Sequence, residues 1–203
     1  ARDPGEPGLA KIRVSNGSEV ARTDLTGRYE LTIDASDAMV FVIKPRGYLS
    51  PLNKHNLPQF HYVHKPQGSP PELKYKGVAP TGPLPPSVDF PLRKRPEPDE
   101  FKVVMFGDPQ PNNLGDIDHM ANDVIGELIG TDAAFGMALG DLMADLLDLY
   151  EPYNQVMAQL GIPMWNVPGN HDLNMDVRKD ALSTETWNRI FGPTTYAFDY
   201  GPV

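Results

Sequence analysis

The sequence predicts an α/β protein in which an N-terminal β-sandwich precedes a layered α/β domain. Short strand-like runs separated by polar turns fill the chain as far as about Pro51. After Glu100, apolar strands alternate with helical segments, a pattern typical of parallel βαβ units. A proline-rich stretch lies between the two patterns. We therefore expect a β domain over 1–64, a linker or wrapping segment over 65–98 and an α/β region over 99–203.

Four short runs form the predicted N-terminal strands, and Asn16-Gly17 separates the first two. Both residues tolerate positive φ, so the pair predicts a hairpin. The strands are expected at Lys11–Val14, Val20–Thr23, Tyr29–Ile33 and Met39–Ile43. The run from Thr23 to Leu31, with the later Pro45-Arg46-Gly47-Tyr48, resembles the transthyretin-like or carboxypeptidase-regulatory-like modules of secreted bacterial proteins. The alternative is an unrelated hairpin with a polar turn.

The stretch from Lys65 to Pro98 holds ten of the 22 prolines of the chain. Proline fixes φ and removes a hydrogen-bond donor, so a regular sheet or helix is not expected here. Residues 87–92 are the exception, because they could add a last edge strand to the first domain. Arg93-Lys94-Arg95 is interpreted as a solvated charge run, since acidic residues follow it closely.

Beyond Glu100, apolar residues at steps of three and four predict a first helix of three to four turns. They are Ile117, Met120, Ala121, Val124, Ile125, Leu128 and Ile129. A second helix around Tyr153–Leu160 is expected to end at Gly161, and a third to run from about Val177 to Ile190. A further strand is expected over Tyr196–Tyr200.

Three apolar runs end in a glycine followed by polar side chains. These ends are Gly107-Asp108-Pro109-Gln110, Gly140-Asp141-Leu142-Met143-Ala144-Asp145 and Gly169-Asn170-His171-Asp172. In a parallel sheet the carboxyl ends of the strands share one edge, where ligands collect. Carboxylate and amide oxygens favour Mg²⁺ or Mn²⁺, and imidazole extends the range to Zn²⁺ and Fe. The pattern therefore predicts one metal site that suits hydrolysis of a phosphate ester.

In this order and spacing, the three motifs resemble those of the calcineurin-like metallophosphoesterases, and the N-terminal module resembles that of a bacterial subgroup. The resemblance implies the first half of a four-layer αββα domain and a site for two divalent metal ions, Mn, Mg, Fe or Zn. It implies that Asp108 and Gln110 hold the first metal, Asp141 bridges and Asn170 binds the second. His171 would be the catalytic histidine that stabilises or protonates the leaving oxygen, while a metal-activated water attacks phosphorus.

Asp145 is the expected orienting acid for His171, although Asp172 is nearer in sequence. One extra residue before Asp145 departs from the family pattern, and so does Gln110, which stands where the family usually has histidine. An amide oxygen at this position favours harder metals over Zn²⁺.

The histidines that complete the family's site are not found in the chain, because His55, His61, His64 and His119 match none of their positions. We therefore expect a chain truncated within the phosphoesterase domain. The missing C-terminal half would complete the site, and the chain alone would bind metal weakly. His55, His61 and His64 are interpreted as solvated loop histidines, with a separate metal site as the alternative.

Charge and composition argue against several classes of partner and function. A net charge of −9 argues against nucleic acid or an anionic membrane as a partner, and no apolar run reaches the ~20 residues of a membrane span. The predicted function is metal-dependent hydrolysis of a phosphomonoester or phosphodiester, with a serine/threonine phosphatase-like role among the candidates. The alternative is a non-catalytic surface binding protein with a degenerate or incomplete phosphoesterase domain. A periplasmic or secreted location is expected from the resemblance alone.

Overall fold

The computed structural model describes residues 5–36 and 38–203, and it confirms the α/β class with a β-rich N-terminal portion. The strands are β1 Arg13–Ser15, β2 Val20–Arg22, β3 Ala38–Ile43, β4 Tyr48–Leu49, β5 His61–His64, β6 Arg93–Lys94, β7 Val103–Phe106, β8 Phe135–Leu139 and β9 Met164–Val167. The α-helices are α1 Leu114–His119, α2 Gly126–Leu128, α3 Tyr150–Met157 and α4 Glu185–Ile190.

The N-terminal strands form an antiparallel sheet in the order β2-β1-β3-β5. The hairpin predicted at Asn16-Gly17 is confirmed, because Ser15 pairs with Val20 and the Asn16 side chain accepts hydrogen bonds from the backbone N–H groups of Ser18 and Glu19. The strand predicted over Tyr29–Ile33 is wrong. Tyr29 instead stacks on Phe90 and donates its hydroxyl to the Val88 carbonyl, so side chains rather than a backbone ladder hold this segment.

The proline-rich segment is packed onto the rest of the molecule. The edge strand expected over 87–92 is not formed; β6 lies just beyond it and pairs antiparallel with β4, with both of its residues exposed. At the other end of the segment, Lys65 Nζ lies 2.8 Å from Glu185 Oε1, and both side chains are buried. A buried ion pair stabilises the fold only when both partners stay in place, so it fixes this segment against α4.

The α/β region contains a parallel sheet in the order β7-β8-β9, as the alternating pattern predicted. The first predicted helix is confirmed as a continuous helical stretch from α1 to α2, with a π-helical middle over Met120–Ile125. The second, α3, continues into a 3₁₀ turn over Ala158–Leu160 and ends at Gly161, whose φ of 69° is the expected left-handed cap. These helices pack with β8 and β9 in one hydrophobic core.

Two predictions in the last third of the chain are wrong. The helix expected from Val177 forms only at α4, preceded by a 3₁₀ turn at Asp180–Leu182. The strand expected over Tyr196–Tyr200 is reduced to an isolated parallel bridge between Lys44 and Phe198. The aromatic rings there pack against β9 instead, with the Trp165 and Phe198 ring centres 4.2 Å apart. This aromatic cluster also contains Phe41 and Phe60, so it joins the N-terminal sheet to the α/β region.

Within the described residues, no helix is long and apolar enough to cross a membrane.

Candidate active site

The site lies at the carboxyl edge of the parallel sheet, where β7, β8 and β9 each lead into a motif loop. Four non-glycine residues in these loops have positive φ: Asp108 at 44°, Gln110 at 42°, Asp141 at 44° and Asp145 at 67°. Such backbone costs on the order of 1–3 kcal/mol per residue and persists only where surrounding contacts hold it. Its concentration in two neighbouring loops marks this edge as a functional-site candidate.

Asp141 connects all three strand ends. Its Oδ2 accepts a hydrogen bond from Gln110 Nε2 at 2.9 Å, and its Oδ1 accepts one from the backbone N–H of His171 at 2.9 Å. Its carbonyl accepts from the Gln110 N–H at 3.0 Å. Gly169 makes this approach possible, because a Cβ there would lie 2.0 Å from Asp141 Oδ1. The three motif loops are therefore locked together around one carboxylate.

The imidazole of His171 lies against the carboxylate of Asp145. The Nδ1 to Oδ1 distance is 2.9 Å, and the His171 side chain is 38% exposed. The hydrogen bond that the His171 ring donates to the Asp145 carboxylate raises the pKa of His171, because a carboxylate stabilises the imidazolium. The other ring nitrogen remains available to a ligand. The extra residue before Asp145 does not prevent the pair from forming.

Asp172, the nearer acid in sequence, has a different role. It is fully buried and accepts hydrogen bonds from the backbone N–H groups of Leu142, Met143 and Gly169 and from the Tyr150 hydroxyl. Burial raises the pKa of Asp172, although these four donors favour its ionised form. The carboxylate joins the loop after β8 to the loop after β9. This structural role of Asp172 was not predicted from the sequence.

The other two proposed ligands, Asp108 and Asn170, are exposed at the same edge. Neither side chain makes a hydrogen bond to the described part of the chain, so their oxygens are available to an ion. The donor set of two carboxylates and two amides fits a hard divalent cation. No group of three His, Cys, Asp or Glu side chains suited to a metal occurs among the described residues. The fit therefore depends on the amide oxygens of Gln110 and Asn170.

A cleft of about 340 Å³ opens beside His171. It is lined by Lys74, Tyr75, Asp145, Asn170, His171, Leu173, Met175 and Asp176. Lys74 Nζ lies 3.4 Å from Asp176 and 4.9 Å from the centre of the Tyr75 ring. Hydrogen bonds to the side chains of Tyr75 and Asp176 raise the pKa of Lys74. The ammonium group of Lys74 at the rim of the cleft therefore stays charged. No site role was predicted for Lys74 or Tyr75, because they belong to the proline-rich segment.

The three histidines near that segment lie outside the site. The prediction that they are solvated loop residues is wrong for His55 and His64, which are 7% and 2% exposed. His61 is largely enclosed and packs against Gly192, and burial lowers the pKa of His61 to about 4. The described residues provide no metal cluster around any of them.

Comparison with known proteins gives one family match and one structural match. Residues 2–79 match the family model described as the N terminal of calcineurin-like phosphoesterase, and this confirms the predicted resemblance over the N-terminal part of the chain. No curated protein matches the chain. The solved structure of purple acid phosphatase PPD1 from yellow lupin (Lupinus luteus) seeds aligns with a TM-score of 0.35 and 14% identity, over 94% of this chain and 41% of that one. A TM-score at that level carries no argument about the site.

Proposed function

We propose that this chain contributes the metal-binding edge of a metal-dependent phosphoesterase, completed by residues elsewhere in the full gene product. The observation that carries the proposal is the carboxylate of Asp141, which holds Gln110 and His171 at the ends of neighbouring parallel strands. The N-terminal family match supports the same conclusion independently, because it involves other residues.

Asp108, Gln110, Asp141 and Asn170 would hold two divalent cations. Such ions would supply polarisation of a phosphoryl oxygen and activation of water. Electrostatics favour this arrangement, because Asp108, Asp141 and Asp145 would repel a phosphate ester from an edge that carried no cations. Asn170 and Gln110 add neutral oxygens without adding further negative charge.

In this proposal His171 delivers a proton to the leaving oxygen. Its Nδ1 is held by Asp145, so Nε2 is the ring atom that faces a substrate. The Asp145 hydrogen bond raises the pKa of His171, which favours the protonated ring that a general acid requires. The cleft beside His171 is then the natural position for the leaving group.

The test is hydrolysis of p-nitrophenyl phosphate and bis-p-nitrophenyl phosphate by the complete gene product with Mn²⁺. We expect Asp141→Asn to lower turnover by at least about 100-fold, because a neutral amide replaces a carboxylate that would hold the cations. Asp118→Asn is the matched control, because Asp118 is an exposed aspartate on α1. Equal turnover in the two variants would show that the assignment of Asp141 is wrong. The ratio of the two substrates distinguishes monoesterase from diesterase activity.

A non-catalytic binding role is the second candidate. The observation that favours it is the lack of a cluster of three metal-binding side chains within the described residues. In this case the complete gene product would turn over neither substrate with any divalent metal, and Asp141→Asn would leave its binding properties unchanged.

A further inference from the structure

We infer that Tyr75, from the proline-rich segment, is a positioning residue for the Asp145–His171 pair. The inference rests on the proposed function in one respect: it assigns Tyr75 an effect on proton delivery to the leaving group. The segment that joins the two parts of the chain thereby becomes a component of the site.

Tyr75 is held firmly in the core. Its side chain is 5% exposed, and its carbonyl accepts a hydrogen bond from Thr186 Oγ1 at 3.2 Å. Thr186 is itself 1% exposed and accepts a hydrogen bond from Asn174 Nδ2 at 2.9 Å. Tyr75 thus has a fixed ring position and a fixed backbone, as a positioning group requires.

From this position the Tyr75 hydroxyl donates a hydrogen bond to the Asp145 carbonyl at 2.8 Å. Asp145 has a φ of 67° and an exposed side chain, so its local conformation is unfavourable and its carboxylate has few packing contacts. The neighbouring residues Leu142 and Met143 are held by Asp172, but that support ends before Asp145. Tyr75 therefore holds the peptide that aims the Asp145 carboxylate at His171.

This contact predicts a selective kinetic defect. Without the Tyr75 hydroxyl, Asp145 samples other backbone conformations and fixes the His171 ring less often. Proton donation matters most when the leaving oxygen is strongly basic, as in an alkyl phosphate. It matters little for p-nitrophenyl phosphate, whose leaving phenolate is stable without a proton.

The kinetic test is Tyr75→Phe in the complete gene product with Mn²⁺. We expect kcat for an alkyl phosphate to fall about 10-fold and kcat for p-nitrophenyl phosphate to fall less than about twofold, with KM unchanged for both. Tyr29→Phe is the matched control, because it removes a hydroxyl-to-carbonyl hydrogen bond of the same 2.8 Å length, to Val88, away from the site. Equal losses on both substrates, or the same selectivity in Tyr29→Phe, would overturn the inference.

A second readout does not depend on turnover. The ring ¹⁵N shifts of His171 report its tautomer, and His171→Ala assigns its signals among the five histidines of the 203-residue chain. At a pH above the pKa of His171, where the ring is neutral, we expect one tautomer with the proton on Nδ1, facing Asp145, in the parent chain and in Tyr29→Phe, and a mixture in Tyr75→Phe. An unchanged His171 spectrum in Tyr75→Phe refutes the positioning role. If the spectrum changes but the parent protein hydrolyses neither ester, the positioning role holds and the proposed function fails.

Discussion

Substitution of Gly169 by alanine tests how tightly the loops after β8 and β9 are packed. The added Cβ would lie 2.0 Å from Asp141 Oδ1 and 2.3 Å from the Asp141 backbone nitrogen, well inside ordinary contact at 3.4–4 Å. The backbone of Gly169, with φ −103° and ψ −172°, is open to any residue, so the clash alone causes the effect. Overpacking costs about 1–3 kcal/mol, and loss of the His171 N–H bond to Asp141 adds about 1 kcal/mol.

Together these terms lower the free energy of unfolding by about 2–4 kcal/mol, or Tm by roughly 5–12 °C for a chain of this size. Thermal unfolding followed by circular dichroism measures the change. Gly107→Ala is the matched control at the same sheet edge, because a Cβ there would meet nothing within 4 Å. That variant should change stability by less than about 0.5 kcal/mol. Equal stability of the two variants would refute the proposed packing of Gly169 against Asp141.

Two further predictions concern acid stability and metal preference. Burial lowers the pKa of His61 to about 4 from 6.5, so His61 resists protonation in the folded state, and its contribution to stability is present above pH 6.5 and lost as the pH falls towards 4. The difference in unfolding free energy between the parent and His61→Gln, measured in urea, should therefore shrink by about 2–3 kcal/mol across that range; a constant difference would contradict the assignment. For the metal, the amide oxygen of Gln110 predicts more turnover with Mn²⁺ or Mg²⁺ than with Zn²⁺, and Gln110→His should shift the preference towards Zn²⁺. Greater activity of the unsubstituted protein with Zn²⁺ would contradict the role of the amide.

The parallel sheet and the polar motifs at its carboxyl edge could be predicted from the sequence, because each depends on residues that are close together in the chain. Each apolar run ends in glycine and a polar residue, and parallel strands bring such ends together without further assumptions. The Gly161 cap and the Asn16-Gly17 turn are likewise encoded within a few residues.

The contribution of the proline-rich segment could not be predicted in this way. Tyr75 and Asp145 are 70 residues apart, and a hydroxyl-to-carbonyl bond leaves no periodic pattern in the sequence. Lys65 and Glu185 are 120 residues apart, and their burial follows from packing rather than from local composition. The many prolines correctly predicted that the proline-rich segment forms no regular sheet or helix. Composition alone does not determine where an irregular segment packs.

The helix predicted from Val177 to Ile190 was wrong over its first half for a related reason. Polar residues from Asp176 to Asp180 are compatible with a helix surface, but the backbone N–H of Asn174 bonds instead to the Ser183 carbonyl at 2.8 Å. This contact closes a loop, and Asp176 within it faces Lys74 at the rim of the cleft. Tertiary contacts thus override local helix propensity before α4 begins.

The most direct test of a catalytic site at this sheet edge compares two histidine–aspartate pairs. At the cleft, His171 Nδ1 lies 2.9 Å from Asp145 Oδ1. On an exposed helical surface, His119 Nδ1 lies 3.7 Å from Asp123 Oδ2. The measurement is kcat of the complete gene product with Mn²⁺ for an alkyl phosphate. We predict that His171→Ala lowers kcat by about 100-fold, while His119→Ala changes it by less than about twofold. Equal effects of the two substitutions would contradict the assignment of His171 as the residue that protonates the leaving group.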